Sequence, residues 1–237
     1  MPNAAIDPAS APCHDQPRIV FVDDWLVVVD KPSGMPSVPA RTPLDPLDVA
    51  AVLRDEFGPL EAVHRLDRDT SGLLVLARSP AARAALGRAF ESRAVSKTYV
   101  ALVHDRPPTP QGTVHLPLAD DPERPPRKRV DPILGRRATT RWRMQECMPR
   151  TAVLELEPLT GRSHQLRVHL AWLGCPVVGD RLYGRPDAGR RLALHAAALG
   201  FPHPGDGRQL SFEANLVLRL DGYAYQSRGR CSKSIEK

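Results

Sequence analysis

Apolar residues occur in short blocks separated by polar turns, a pattern that predicts a domain built largely from short strands. The blocks at 19–22 and 26–30 flank the polar turn Asp23-Asp24-Trp25 and therefore predict a β-hairpin. Residues 73–77 form a continuous apolar run, which is typical of a buried strand. Further strands are predicted at 97–103, 151–157, 192–199 and 209–214.

Three other segments carry the periodicity and the end signals of helices. Residues 47–57 place apolar side chains at helical spacing. A second helix is predicted to begin after the N-cap Ser79, with Pro80 at its first position, and to run to about residue 92. A third is predicted to begin at the cap Ser163 and to end before Gly174.

The order of these elements indicates the fold class. Strands and helices are interspersed without strict alternation, and the chain contains neither Gly-x-Gly-x-x-Gly nor a Walker sequence. This disfavours a dinucleotide-binding fold. It predicts an α+β fold with a mixed, mostly antiparallel sheet.

Length and apolar content are sufficient for one sizeable domain. The chain has 237 residues, 42% of them hydrophobic, and no apolar run approaches a membrane-spanning length. Residues 1–17 carry four prolines and no apolar block, so we expect a disordered tail and no secretory signal. We expect one catalytic domain over 18–221 and a polar tail over 222–237.

The cysteines and histidines give no support for a metal site. The four cysteines include no C-x-x-C pair, which disfavours a zinc site or a disulfide framework and favours a reducing cytoplasm. His164 and His169 are five positions apart, a spacing that does not place two ligands on one helical face.

The charge balance admits a nucleic-acid partner without requiring one. The net charge is +6, and residues 124–143 hold eight basic residues and one acid, Asp131. Such a segment is either a solvated face or a surface that crosses a phosphate backbone.

The segment His64-Arg65-Leu66-Asp67-Arg68-Asp69-Thr70-Ser71-Gly72 leads directly into the buried strand at 73–77. Such a loop is a frequent place for catalytic groups, although Asp67 could equally cap a turn or pair with an arginine. A phosphatase-like Asp-x-Asp-x-Thr pattern is disfavoured, because Ser71 stands where the threonine is required.

A second segment joins the strand at 151–157 to the third helix through Thr160-Gly161-Arg162. Arg162 is thereby placed at the positive end of a helix dipole, where it would attract a phosphate or a carboxylate such as Asp67. His164 and His169 are expected to be structural or to face RNA rather than to act as catalytic bases. Tyr99, in the strand at 97–103, is either a core residue or a base-stacking platform.

Together these segments resemble the RluA family of pseudouridine synthases. The likeness covers residues 18–214 and joins His-Arg-Leu-Asp-x-x-Thr-Ser-Gly to Gly-Arg-x-His-Gln-Leu-Arg-x-His. The matching features also include Lys31-Pro32-Ser33-Gly34, the strand at 97–103, Gly179-Asp180-x-x-Tyr183-Gly184 and Leu194-His195-Ala196.

The resemblance implies an α+β fold whose mixed, mostly antiparallel sheet has flanking helices and a central catalytic cleft. It also implies a role for several residues. Asp67 would be the catalytic aspartate, Arg162 its salt-bridge partner, and Tyr99 the tyrosine beneath the target base. Arg65 would insert into the RNA stack in place of the flipped uridine. We expect further RNA contacts from His64, Arg127, Lys128, Arg129, His164 and Arg167. The family needs neither a metal nor an organic cofactor.

Within the family, the chain is most similar to the RluA branch, which modifies 23S rRNA and a tRNA anticodon stem-loop. About 17 residues precede the first strand, too few for the S4 RNA-binding domain that many members carry. We therefore expect both RNAs as partners, no DNA or membrane, and a monomer. The alternatives are an enzyme for a single RNA, a non-catalytic RNA-binding or ribosome-assembly factor, and a metal-dependent phosphate-ester hydrolase. Whether Asp67 attacks C1′ or removes the C2′ proton stays open.

Overall fold

The computed structural model describes residues 16–39, 46–185 and 190–214, and the backbone of two further strands at 217–220 and 223–226. Residues 1–15 and 227–237, which belong to the predicted tails, lie outside the described residues. The strand Tyr223–Gln226 lies within the segment predicted to be the C-terminal tail.

Fourteen strands and four helices are found in these ranges. The first seven strands are β1 (Arg18–Val22), β2 (Leu26–Lys31), β3 (Glu61–Ala62), β4 (Ser71–Ala77), β5 (Ser96–His104), β6 (Gln111–His115) and β7 (Leu118–Asp120). The others are β8 (Lys128–Val130), β9 (Thr139–Cys147), β10 (Thr151–Pro158), β11 (Leu194–Pro202), β12 (Gln209–Glu213), β13 (Val217–Leu220) and β14 (Tyr223–Gln226). The helices are α1 (Val49–Val52), α2 (Arg54–Phe57), α3 (Pro80–Glu91) and α4 (Gln165–Trp172).

Ten strands form one sheet, in the order β1-β2-β4-β11-β5-β10-β9-β6, with β3 also paired to β4 and β12 to β11. Among the described strand pairs, only β4 with β11 is parallel. The predicted α+β class with a mixed, mostly antiparallel sheet is therefore confirmed. The β1–β2 hairpin is also confirmed, with Val22 opposite Val27 beside the turn.

The central strands of the sheet are covered on both faces. In β2 and β4 every side chain except that of Asp30 is buried, because the two faces of these strands pack against different apolar clusters. The helix α3 covers one face through Ala82, Leu86 and Ala89. As predicted, Ser79 caps this helix by accepting a hydrogen bond from the Ala82 N–H at 3.1 Å.

The helix predictions failed in two places. The segment 47–57 is divided at Leu53 into the short helices α1 and α2. Ser163 does not cap α4. The N-cap position belongs to His164, whose left-handed backbone (φ 56°) reverses the chain, and no side chain caps this end. The turn before α4 is fixed instead by a buried amide, that of Gln165.

The cleft that holds the candidate site lies between two apolar clusters. One cluster joins β5, β10 and α4, and the other joins β2, β4, α1 and the loop before β4. Tyr99 of β5 contacts both clusters, so its ring lies where they meet. Residues from the loop before β4 and from the turn before α4 line the same cleft.

Candidate active site

The loop that carries Asp67 is fastened to the segment that follows β2. The Gly34 N–H donates to the Arg68 carbonyl at 2.9 Å, and the Ser33 hydroxyl donates to the Asp69 carbonyl at 2.7 Å. The Ser37 hydroxyl bridges the carbonyl and the N–H of Leu66, at 3.1 Å each. With both neighbouring residues tied, the backbone of Asp67 has little freedom.

Lys31 contributes a buried fastening to the same loop. Its ammonium donates to the carbonyls of Pro32, Met35 and Arg68 at 2.8–3.0 Å, and its side chain has no exposed surface. Burial lowers the pKa of Lys31 to about 7, although nearby aspartates favour its charged form. Lys31 therefore joins the segment after β2 to the loop that carries Asp67.

A single arginine connects Asp67 to a second carboxylate. Arg167 of α4 donates through Nε and Nη2 to the two oxygens of Asp180, at 2.7 Å each. Its Nη1 lies 3.4 Å from Oδ2 of Asp67. The Arg167 side chain is 5% exposed and that of Asp180 is 1% exposed, whereas that of Asp67 is 18% exposed and reaches the cleft.

The predicted salt-bridge partner of Asp67 was wrong. In the described part of the chain this partner is Arg167, for which we predicted an RNA contact. Arg162 lies in the wall of the same cleft, and its Nε donates to the Arg137 carbonyl at 3.2 Å. The position of Arg162 just before α4 predicts that it lies near the cleft, but it does not predict which guanidinium reaches the carboxylate.

The charges of Arg167 and Asp180 sustain one another. Burial alone would lower the pKa of Arg167, but the hydrogen bonds and charge of Asp180 raise it above its usual value. Burial alone would raise the pKa of Asp180, but the hydrogen bonds from Arg167 lower it below its usual range. Both groups thus stay ionised, and Arg167 retains one N–H directed at Asp67.

Tyr99 faces the same cleft from β5. The residue opposes Leu156 of β10 and Ala196 of β11 in the sheet, so its backbone is held on both sides. Burial, together with the charge of Asp67, raises the pKa of the Tyr99 phenol. The phenol is therefore protonated at neutral pH.

The cleft has a volume of about 390 Å³. This is within the usual range for a small-molecule site, so the cleft can accept a single nucleoside. It is lined by the candidate residues and by apolar and basic side chains, among them His64, Arg65, Leu66, Asp67, Lys97, Tyr99, Arg162, His164, Arg167 and Leu194.

Tyr183 links the cleft to residues 124–143, the basic segment of the chain. Its hydroxyl accepts from the Lys128 N–H at 2.6 Å and lies 2.7 Å from Nδ1 of His164. Its ring lies 5.2 Å from the guanidinium carbon of Arg167, at cation–π distance. Burial lowers the pKa of His164, so its ring is mainly neutral at pH 7.

Two predicted RNA-contacting or structural histidines are engaged within the protein. His64 stacks on Phe90 with ring centroids 4.8 Å apart, and its Nε2 accepts from the Val75 N–H at 3.1 Å. Burial, with the charge of Lys97, lowers the pKa of His64 to about 3, so its ring is neutral at pH 7. His169 is buried against Thr140, which confirms its structural reading.

The basic segment is partly neutralised. In the described ranges, Arg124, Lys128, Arg129, Arg141 and Arg143 each form an ion pair with a carboxylate. Arg127, Arg136 and Arg137 have no acidic partner in the part of the chain that the structure describes. Of the three residues predicted to contact RNA here, Lys128 pairs with Asp120 and Arg129 with Asp131. Arg127 is therefore the most available of the three for a contact with phosphate.

Sequence reasoning gave no role to Asp180 and Tyr183, although both belong to the quoted Gly179-Asp180-x-x-Tyr183-Gly184 segment. Oδ1 of Asp180 accepts from the N–H groups of Leu182 and Tyr183, at 2.9 and 3.0 Å. An aspartate that precedes such a turn is a readable signal for this local geometry, but not for its distant arginine partner.

The burial of His195, on β11 beside β4, predicts a measurable dependence of stability on pH. His195 is 5% exposed, with Nδ1 2.9 Å from the Ser71 hydroxyl, and burial lowers its pKa to about 4. Because an unfolded histidine titrates near pH 6.5, the unfolded state binds more protons between about pH 6.5 and pH 4. The free energy of unfolding should therefore decrease as the pH is lowered through this window, by up to about 1.4 kcal/mol per pH unit.

Urea unfolding of the wild type and of His195→Gln, at about pH 7 and about pH 5, measures this effect. The wild type should lose more stability on acidification than the variant. Equal losses in the two proteins would show that His195 does not stay neutral in the folded state.

The described residues contain no group of three or more His, Cys, Asp or Glu side chains placed to hold a metal ion. Nor does any helix in the described ranges have the length and hydropathy needed to span a bilayer.

Comparison with known proteins gives consistent matches. Residues 25–172 match the family described as RNA pseudouridylate synthase. Proteins named dual-specificity RNA pseudouridine synthase RluA are 41% identical in Haemophilus influenzae and 42% identical in Escherichia coli K12. Each alignment spans 200 residues, 83% of this chain and 91% of the relative.

Solved structures agree with this assignment. Human RNA pseudouridylate synthase domain containing 1 matches with a TM-score of 0.71 and 29% identity, over 84% of this chain and 82% of that one. Human RNA pseudouridylate synthase domain containing 4 matches with a TM-score of 0.69 and 27% identity, over 84% of this chain and 88% of that one. The chain thus belongs to the RluA family of RNA pseudouridine synthases, isomerases that convert uridine in RNA into pseudouridine.

Proposed function

We propose that this protein isomerises specific uridines in both 23S rRNA and tRNA, that it acts as a monomer, and that it works in the cytoplasm. The relatives named for dual specificity support the pair of substrates. The observation that carries the proposal is the Asp67 carboxylate, which reaches a cleft beside Tyr99 and within 3.4 Å of Arg167.

In this proposal Asp67 is the catalytic residue. Conversion to pseudouridine breaks the bond from N1 to C1′, turns the base, and joins C5 to C1′. The carboxylate either attacks C1′ or removes the C2′ proton, and both routes need it ionised. Arg167 fixes the orientation of the carboxylate, because a charge-assisted hydrogen bond holds one of its oxygens.

Tyr99 supplies the surface for the target base. An aromatic ring that is held by two neighbouring strands is a rigid stacking platform. The phenol keeps its proton at neutral pH, so it would act by stacking and hydrogen bonding rather than as a phenolate base. Loss of the C5 proton would then fall to another group or to water.

Arg65 is exposed at the rim of the cleft, two residues from Asp67, where its guanidinium can fill the gap left by a flipped uridine. Arg65→Ala should raise the KM for RNA by about ten-fold, because stacking on a base contributes roughly 1–3 kcal/mol. The kcat at saturating RNA should change much less.

Steady-state kinetics on a tRNA transcript would measure this effect. Arg208→Ala serves as a control, since Arg208 is an exposed arginine in the turn between β11 and β12. An unchanged KM in Arg65→Ala would argue against insertion.

The overall proposal can be tested by tritium release. Transcripts of 23S rRNA fragments and of tRNA, labelled with tritium at C5 of uridine, should both release label in the presence of the protein. Release from only one RNA would favour a single-substrate enzyme. Tight binding of both RNAs without release from either would favour a non-catalytic RNA-binding factor.

A further inference from the structure

Two large apolar side chains project into solvent from the turn between β8 and β9. Ile133 is 90% exposed and Leu134 is 75% exposed, which makes them the most exposed large apolar residues of the described ranges. Adjacent aliphatic side chains kept in water cost free energy and suggest a binding role.

The turn that presents them, residues 131–136, is held by the Asp131 side chain and by backbone hydrogen bonds. Oδ1 of Asp131 accepts from the N–H groups of Ile133 and Leu134, at 3.0 and 2.9 Å, and the Gly135 N–H donates to the Asp131 carbonyl at 3.0 Å. Arg136 exchanges two backbone hydrogen bonds with Leu118 of β7. Because the Ile133 and Leu134 side chains make none of these bonds, the turn presents them in a preorganised position.

This turn lies next to the candidate active site. Leu134 precedes Arg137 by three positions, and the Arg137 carbonyl accepts from Nε of Arg162 in the cleft wall. Before the turn, the Lys128 N–H donates to Tyr183, which contacts His164 in the cleft. Both ends of the segment are thus bonded to residues that line or adjoin the cleft.

The charges around the turn favour an anionic ligand. Arg136 and Arg137 follow the two aliphatic residues after Gly135, and Arg127 precedes the turn. None of the three has an acidic partner in the described ranges. Apolar side chains flanked by unpaired arginines are suited to a ligand that carries both flat apolar surfaces and phosphates.

We propose that Ile133 and Leu134 form an apolar wedge that packs against unstacked bases of the RNA substrate, while Arg136 and Arg137 contact the flanking phosphates. The inference rests on the proposed function and adds a surface for RNA outside the cleft. Aliphatic side chains are known to separate base steps in this way when arginines hold the backbone. The wedge would help keep the RNA open near the uridine that enters the cleft.

The test is the double variant Ile133→Ser/Leu134→Ser, assayed for binding and for pseudouridine formation on a tRNA anticodon stem-loop. Both Kd and KM should rise about ten-fold, since loss of partly buried aliphatic contacts has this order of effect. The kcat at saturating RNA should stay within about two-fold, because the residues touch no group in the cleft. Thermal stability should not change.

Salt dependence separates the wedge from the phosphate contacts. The slope of log Kd against log salt should be the same in the double variant as in the wild type, because no charge is removed. Arg136→Ala should instead reduce this slope by about one. Val22→Ser is the matched control, since Val22 is an exposed aliphatic residue on β1, at the opposite edge of the sheet, and it should leave Kd unchanged.

An unchanged Kd and KM in the double variant would overturn the proposal. So would a change in oligomeric state without a change in RNA affinity, which would assign the aliphatic pair to a protein contact. If the wild type binds these RNAs but modifies none, the proposed function fails. In that case a higher Kd in the double variant would still support the wedge, and an unchanged Kd would still overturn it.

Discussion

Asp67→Asn is expected to abolish pseudouridine formation while the fold and the affinity for RNA are kept. An amide can neither attack C1′ nor accept the C2′ proton, so the rate should fall by at least about 10⁴-fold, the upper range for general base catalysis. The fold should tolerate the change, because Arg167 keeps its two hydrogen bonds to Asp180 and its charge stays paired.

The measurement is single-turnover pseudouridine formation with saturating enzyme, which separates chemistry from RNA binding. Asp69→Asn is the matched control, since Asp69 is an exposed aspartate two residues away and loses the same charge. This control should retain most of the activity. Measurable turnover by Asp67→Asn would remove Asp67 from the catalytic role, and equal losses in both variants would point to a general charge effect.

The central part of the sheet was predictable because its strands are buried on at least one face. Continuous apolar residues identify β4, and in β10 the alternation of Leu154 and Leu156 with glutamates identifies the inward face. Helix α3 was predictable from its cap and its proline, since both act locally.

The strands β6 and β9 were missed because each contains few apolar residues, and in β9 the pattern is also hidden by charge. In β9, Thr140 and Trp142 are buried while Arg141 and Arg143 are exposed and paired with glutamates of β10. A strand with few apolar residues and many arginines reads as a basic surface segment. Its identity as a strand depends on pairing with β10, which the local sequence does not contain.

The candidate site was predictable in its loop but not in its ion pair. The spacing around Asp67 indicates a catalytic loop because all of its members are close in sequence. The partner of Asp67 is 100 residues away, and the two arginines that compete for it, Arg162 and Arg167, differ only in their position relative to the start of α4. Asp180 decides between them, because its bidentate pair fixes the guanidinium of Arg167 beside the cleft.

Because Arg167 is the partner of Asp67, Arg167→Lys is expected to impair both chemistry and stability. An ammonium is a point charge that cannot replace the planar fork that reaches Asp180 and Asp67 together. The kcat should fall by about 10²-fold, the cost of a small misplacement of a catalytic group. The free energy of unfolding should fall by about 1.5–3 kcal/mol, the value of a hydrogen bond to a charged group.

Arg162→Lys is the matched comparison, because Arg162 lies in the wall of the same cleft but is bonded to the Arg137 carbonyl rather than to Asp67. It should raise the KM for RNA by a few-fold and leave kcat and stability nearly unchanged. Kinetics and urea unfolding of the two variants distinguish the assignments. If Arg162→Lys lost kcat and Arg167→Lys did not, Arg162 would be the residue that holds the catalytic carboxylate, and the pairing seen in the structure would have no role in catalysis.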